Sequence, residues 1–301
     1  MDKIFKKKCP HVKECSELDL TENLFLVEDK KKRKNLSDAL KKVHVLKIVY
    51  TVRKDFKVIG FVLVPKRGKK FPSVIHLRGG SRDFGMIKAL HLLRLAALAS
   101  EGFVVITTQY PGVDGGDGKD TWGGPDDIAS IKRLRDILKY IKYADTEWIG
   151  VKGHSRGGLM TYMMLREVPW IKAAVIGGAP TDEIRAGKER EGWRDHQISL
   201  YGRQRDELIR RSPILWAHEL PARTPLLIVH GSSDWRVKAD HSILMSKELY
   251  KNRIPHRFVL FEGADHGISE FASEYSNLTV EWFKRFLRKD RELPDIRPHG
   301  N

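Results

Sequence analysis

The sequence predicts an α/β fold: a mostly parallel central sheet with helices on both faces and a small helical cap insertion. Three observations predict it. From residue 71 onward, short Val- and Ile-rich runs alternate with helical stretches of 12 to 20 residues, as parallel strands joined by right-handed crossovers do. Upstream, "VHVLKIVYTV" and "FKVIGFVLVPK" alternate on either side of "RKD", the pattern of an antiparallel hairpin. Lastly, the polar block from 181 to about 220, rich in Arg and Trp, holds no convincing strand. An insertion after a strand of an open α/β sheet lies at the C-terminal edge, where ligands bind.

The elements follow in order. "FPSVIHLRGG" is a short buried strand ending in glycines, "MIKALHLLRLAALAS" has helical spacing, and "FVVITTQYPG" is again a strand. The Gly- and Asp-rich "VDGGDGKDTWGG" is a loop. It leads into the helical "PDDIASIKRLRDILKYIKYA", whose Pro125, Asp126 and Asp127 suit a first helical turn. A strand over 147–153, a helix over 156–167 and the strand "IKAAVIGGAP" come next. Beyond the polar block lie strand "PLLIVHGSSD", helix "ADHSILMSKELYKNR", strand "HRFVLFEG" and the closing helix "FASEYSNLTVEWFKRFLRK".

Composition narrows the class. With 41% apolar and 31% charged residues, 301 residues bury a substantial core. No run approaches the ~18 apolar residues of a membrane span, and "MDKIFKKKCPHVKEC" lacks the apolar centre of a secretory signal. A cytoplasmic location, with no membrane partner, is expected. Cys9 and Cys15, with His11 between them, lack a fourth ligand at matched spacing. They are read as free thiols, with no metal and no cofactor expected. The net charge of +16 raises nucleic-acid binding, but it is dispersed along the chain. Residues 1–54 carry fifteen Lys and Arg against eight Asp and Glu, and "EDKKKRKNL" reads as a solvated loop. Without a helix-turn-helix, an RNP-type motif or aromatic interleaving, no nucleic-acid partner is expected.

The chemistry starts at Gly153-His154-Ser155-Arg156-Gly157, a G-x-S-x-G between a strand and a helix. So tight a turn brings the residues flanking the serine nearly into contact, hence Gly153 and Gly157, and it exposes a strained Ser155. A serine hydroxyl needs a base, and that base needs an orienting carboxylate. Asp234, just past "PLLIVHG", and His266, in the loop after "HRFVLFEG", follow in the required order. Ser155 as a helix N-cap and Asp265 as the orienting acid are the alternatives; neighbouring side chains point apart, which favours Asp234. His230 and His76 are read as packed, hydrogen-bonded core histidines. The oxyanion needs donors. The Arg156 backbone N–H and the loop of Gly79 and Gly80 are the candidates, with Arg78 beside them.

With these residues in hand, the chain resembles the α/β-hydrolase superfamily, and within it the catalytic domain of prolyl oligopeptidase family serine peptidases. The resemblance covers about residues 45 to 290. It rests on "RGGSRDFG", "TTQYPGVDGGDGKDTWGGPDDIASI", "GHSRGGLMTYMML", "PLLIVHGSSDWRVKADHS" and "EGADHG". It implies Ser155 as nucleophile, Asp234 as orienting acid and His266 as base. The family pattern has His-Gly-Gly-Pro, or a tyrosine followed by small residues, where this chain has Arg78-Gly79-Gly80-Ser81. Arg78 is either a charged oxyanion donor or turned away, toward an acidic substrate group. Many members carry an N-terminal β-propeller, which some 42 residues cannot build. Residues 1–42 are read as an N-terminal arm or accessory segment, and 43–301 as the catalytic domain, with 181–220 the cap. Tyr110, Trp193, Tyr201 and Trp216 are candidate pocket residues. The expected function is a serine hydrolase cleaving peptide or amide bonds of small-molecule or short-peptide substrates. A carboxylesterase with the same triad is the alternative, and a non-catalytic binding protein on this scaffold is a third.

Overall fold

The structure, a computed structural model, describes residues 4–297, so the first three residues of the expected arm and the last four of the catalytic domain lie outside the described residues. Two compact units make up the chain, Met1–Asp120 with Pro125–Ile149, and Thr121–Gly124 with Gly150–Asn301.

In the first unit, β1 (Val12–Glu17) and a 3-10 turn (Glu22–Leu26) precede α1 (Lys30–Lys42), β2 (Val43–Arg53) and β3 (Phe56–Pro65). β4 (Phe71–Leu77), α2 (Ala89–Ser100), β5 (Val104–Thr108), α3 (Pro125–Leu138) and the start of β6 (Ala144–His154) complete it. β2 and β3 form the expected antiparallel hairpin, closing at Arg53–Phe56 through Asp55 in a left-handed conformation (φ 55°). β5 pairs antiparallel with β3 and parallel with β4.

The N-terminal segment, which shows no clear periodicity, is nonetheless ordered. β1 pairs antiparallel with β2, held by the backbone ladder, since only Val12 on it is buried. "EDKKKRKNL" is not a loop but the start of α1. The Asp29 carboxylate caps it by accepting from Lys32 N at 2.6 Å. Lys and Arg are good helix formers, and the half-buried or buried Leu36, Ala39 and Leu40 give the helix one inward face against α2. Its lysines remain largely solvated, as expected of the charge run. Cys9 and Cys15 are free thiols, and burial pushes both up from the ordinary thiol range.

In the second unit, α4 (Arg156–Glu167) follows β6, and β7 (Ile171–Gly177) follows α4. The polar block is wholly helical or looped: α5 (Glu183–Glu189), α6 (Trp193–Tyr201), α7 (Arg205–Arg210) and a 3-10 segment (Pro213–Glu219). β8 (Leu226–Gly231), α8 (Asp240–Lys251), β9 (His256–Phe261) and α9 (Ala272–Phe286) close the unit. β7, β8 and β9 are parallel neighbours. β8 is buried along its whole length, as its unbroken apolar run requires, while β9 is partly exposed along its length. Among the described residues the sheet has nine strands and is mostly parallel, in the order β1-β2-β3-β5-β4-β6-β7-β8-β9.

Candidate active site

Ser155 occupies the turn between β6 and α4 with φ 56° and ψ −124°, a backbone conformation that L-residues rarely adopt. Its N–H donates to the Gly177 carbonyl at 2.7 Å, pinning the turn to the end of β7. Close approach explains the glycines. A Cβ on Gly153 would lie 2.0 Å from the Gly157 oxygen, and one on Gly158 would lie 2.7 Å from the Ala179 Cβ. Gly158, which the motif does not single out, is thus constrained too, though less tightly than Gly153.

Asp234 and His266, each in a loop following a strand, meet: His266 Nδ1 donates to Asp234 Oδ2 at 2.7 Å. The other carboxylate oxygen accepts from the backbone N–H groups of Arg236 and Val237, both at 2.9 Å. His230, expected as a core histidine, is fully buried and does more than pack. Its Nε2 lies 3.1 Å from Asp234 Oδ2 and 2.8 Å from the Val237 carbonyl, while its Nδ1 faces the Ser242 hydroxyl at 2.7 Å. A donor at Nε2 and an acceptor at Nδ1 satisfy all three contacts. Burial pushes Asp234 up, but hydrogen bonds from His230 and His266 and from the Val237 backbone outweigh it. The carboxyl is held well below the usual range.

Ser155 and His266 are linked through His154, the last residue of β6. His154 Nε2 donates to the His266 carbonyl at 2.7 Å, and the two rings meet edge-on with centroids 5.2 Å apart. A Cβ on Gly177 would lie 2.6 Å from His154 Nδ1, and one on Gly178 3.5 Å from His266 Cε1. Gly177 therefore leaves room for the His154 ring, whereas the His266 ring would meet a Gly178 side chain only at ordinary contact distance. Burial and the neighbouring His266 lower His154 to about 3, so it stays a neutral donor. Its position beside the serine is the one sequence signal that pointed to it.

Arg78, Gly79, Gly80 and Tyr110 belong to the first unit. The Arg78 side chain is buried and turned inward. Its Nε and Nη2 donate to the Gln109 carbonyl at 3.0 and 2.8 Å, and further bonds reach the carbonyls of Gly79, Arg82 and Phe84. Asp120, equally buried, stands 3.8 Å away. A guanidinium so engaged is the hub of its own loop. Gly80 (φ 73°) has no room for a side chain, because a Cβ would lie 2.0 Å from the Phe84 oxygen. Tyr110 is fully buried and donates its hydroxyl to the Arg78 carbonyl at 3.1 Å. The Arg156 side chain is likewise buried, its guanidinium over the Trp122 ring.

Two of the remaining candidates, Trp193 and Tyr201, surround a residue that sequence reasoning missed. Glu183, at the first turn of α5, is fully buried. Its carboxyl accepts from Trp122 Nε1 and Trp193 Nε1 (both 3.3 Å), Tyr201 Oη (3.2 Å) and Gln197 Nε2 (2.5 Å). Burial raises its pKa, and these neutral donors offset that only in part. Trp216 is packed in the interior, donating to the Ile209 carbonyl at 3.1 Å. Among the described residues no group of three or more His, Cys, Asp or Glu is placed to hold a metal ion, and no helix is long and apolar enough to cross a membrane.

Comparison with known proteins matches residues 90–290 to the prolyl oligopeptidase family. The uncharacterized peptidase YtmA of Bacillus subtilis (strain 168) is 27% identical over 198 residues, 64% of this chain and 75% of that protein. A probable dipeptidyl-peptidase 5 of Aspergillus terreus is 22% identical over 79% of this chain, but only 35% of the relative is covered. Among solved structures, the Pyrococcus horikoshii acylaminoacyl peptidase superposes with a TM-score of 0.74 at 21% identity, covering 87% of this chain and 44% of that one. This chain thus spans under half the length of the larger relatives, and the shared architecture is the α/β-hydrolase fold. The match covers two thirds of the chain, and the chain belongs to the prolyl oligopeptidase family of serine peptidases.

Proposed function

We propose that this chain cleaves peptide and amide bonds of small substrates through an acyl-enzyme on Ser155. The carrying observation is the His266–Asp234 hydrogen bond at 2.7 Å, tied to the strained serine turn through the His154 contact with the His266 carbonyl. In this reading Asp234, held ionised, fixes Nδ1–H of His266, leaving Nε2 as the base. As Ser155 Oγ bonds to the substrate carbonyl carbon, Nε2 takes the hydroxyl proton, and the Arg156 backbone N–H receives the oxyanion. His266 then returns the proton to the leaving amine as the C–N bond breaks. Water releases the acyl group by the same route, restoring the serine. Within the first unit, the Arg78 side chain supports the loop of Gly79 and Gly80.

Short peptides fit as substrates because the relatives include dipeptidyl and acylaminoacyl peptidases, one of them known in complex with a peptidyl chloromethyl ketone. A cytoplasmic location and the absence of a nucleic-acid partner are part of the same proposal. A carboxylesterase is the second reading. It is favoured by the Arg78 geometry, since a loop without a tyrosine hydroxyl offers fewer oxyanion donors. Matched ester and amide substrates decide between the two, and no amide cleavage across a peptide panel removes the first. Fluorophosphonate labelling is expected in the wild type and lost in Ser155→Ala. An unlabelled wild type would sink both.

A further inference from the structure

After four buried apolar residues, Leu226 to Val229, β8 buries an imidazole, His230. Burying two ring nitrogens costs free energy unless both are hydrogen-bonded, and an apolar side chain would fill such a site without that cost. Here both nitrogens are committed. They face the Val237 carbonyl and Asp234 Oδ2 in the turn after β8, and the Ser242 hydroxyl in the first turn of α8. We propose that His230 is a positioning residue for the reaction at Ser155: it orients the Asp234 carboxylate toward His266 and draws off part of the charge on the oxygen the two histidines share.

Three observations carry it. Asp234 Oδ2 faces two ring nitrogens, His266 Nδ1 at 2.7 Å and His230 Nε2 at 3.1 Å, while Oδ1 accepts from the Arg236 and Val237 backbone. His230 Nε2 carries a proton, because both groups it faces are acceptors. Next, Val237 gives its N–H to Oδ1 and its carbonyl accepts from His230, so the imidazole closes a ring of hydrogen bonds that holds the carboxylate in one orientation. Finally, the following residue is pressed against the loop that carries His266. A Cβ on Gly231 would lie 2.3 Å from the Ala264 oxygen and 2.4 Å from the Asp265 oxygen, and Ser233 N donates to the Ala264 carbonyl at 3.0 Å. A carboxylate oxygen that already accepts one N–H is a weaker acceptor for the second, so His230 tempers the bond to His266 as well as aiming it.

The inference rests on the serine-peptidase reading, so its test separates the two. Fluorophosphonate labelling rates, and kcat and KM on a peptide substrate, are compared per folded molecule for wild type, His230→Phe and His230→Gln. His230→Phe keeps a planar ring but removes the donor. It should lower kcat and the labelling rate about tenfold with KM little changed, the scale of losing support for a reacting group. His230→Gln, whose amide N–H reaches the Nε2 position, should recover most of that loss. A packing role alone predicts the opposite order, since phenylalanine suits a buried site better than glutamine. The low-field proton NMR signal of His266 Nδ1–H should move further downfield in His230→Phe, where Oδ2 serves one ring donor in place of two. Wild-type rates in His230→Phe, a glutamine variant no faster than it, or an unmoved His266 signal overturns the role. If His230→Phe does not fold, Ser242→Ala takes its place. Freeing the His230 ring should slow labelling about threefold, the scale of one hydrogen bond, and a wild-type rate again overturns the role. A wild type that does not label counts instead against the catalytic reading, before any variant is compared.

Discussion

Asp234 and Glu183 are both buried carboxyl groups of the second unit, each with several hydrogen-bond donors, yet their acidities move in opposite directions. The difference lies in the donors. Asp234 receives two backbone N–H groups and two imidazoles, a side-chain type that can carry positive charge. Glu183 receives two indoles, a phenol and an amide, none of which ever carries a compensating positive charge. Burial disfavours both anions; where donors include groups that can become cationic, the anion is retained. One carboxyl is thereby held ionised, and the other ties the helices after β7 to one another.

That contrast can be broken experimentally, and the largest effect is expected at Asp234. Asp234→Asn should lower kcat/KM roughly ten-thousand-fold, because the amide no longer fixes the His266 tautomer. Its urea midpoint should move far less. Glu183→Gln should do the reverse. It places an N–H among four donors and costs about 1–3 kcal/mol in unfolding free energy, with a much smaller loss in kcat/KM per folded molecule. If Glu183→Gln proved catalytically dead but fully stable, the division of labour would be wrong. A smaller effect sharpens the picture at His154, whose pKa burial lowers from 6.5 to about 3 in the folded protein. Between those values the unfolded imidazole takes a proton and the folded one does not. Its contribution is therefore present above pH 6.5 and lost as pH falls toward 3. Urea midpoints of His154→Gln, which keeps a donor for the His266 carbonyl, should depend less on pH over that range than those of wild type. Parallel curves would contradict a neutral, buried His154.

Much of the fold was legible because its signals are local. The α4 boundaries follow from one glycine-rich turn and one apolar face, and the strands from runs of Val and Ile. α1 was misread because its apolar positions are few and its helix is set by a single Asp29 cap. Asp234 and His266 were legible for a similar reason, since each follows a strand of its own. Glu183, His154 and His230 were not. The glutamate is surrounded by Trp122 from 61 residues away, and His154 reaches a carbonyl 112 residues away. No spacing rule encodes such partners.

The sequence by itself determined the order of strands and helices from β2 onward, the turn around Ser155 and the loops that carry Asp234 and His266. These depend on backbone preferences and on apolar patterning within a few residues. Only the tertiary structure decided that Arg78 turns inward to the Gln109 carbonyl, that His230 shares the Asp234 carboxylate, and that Glu183 is held by four neutral donors. Desolvation and hydrogen bonding act through space, so the charge state and partner of a side chain are properties of the fold around it.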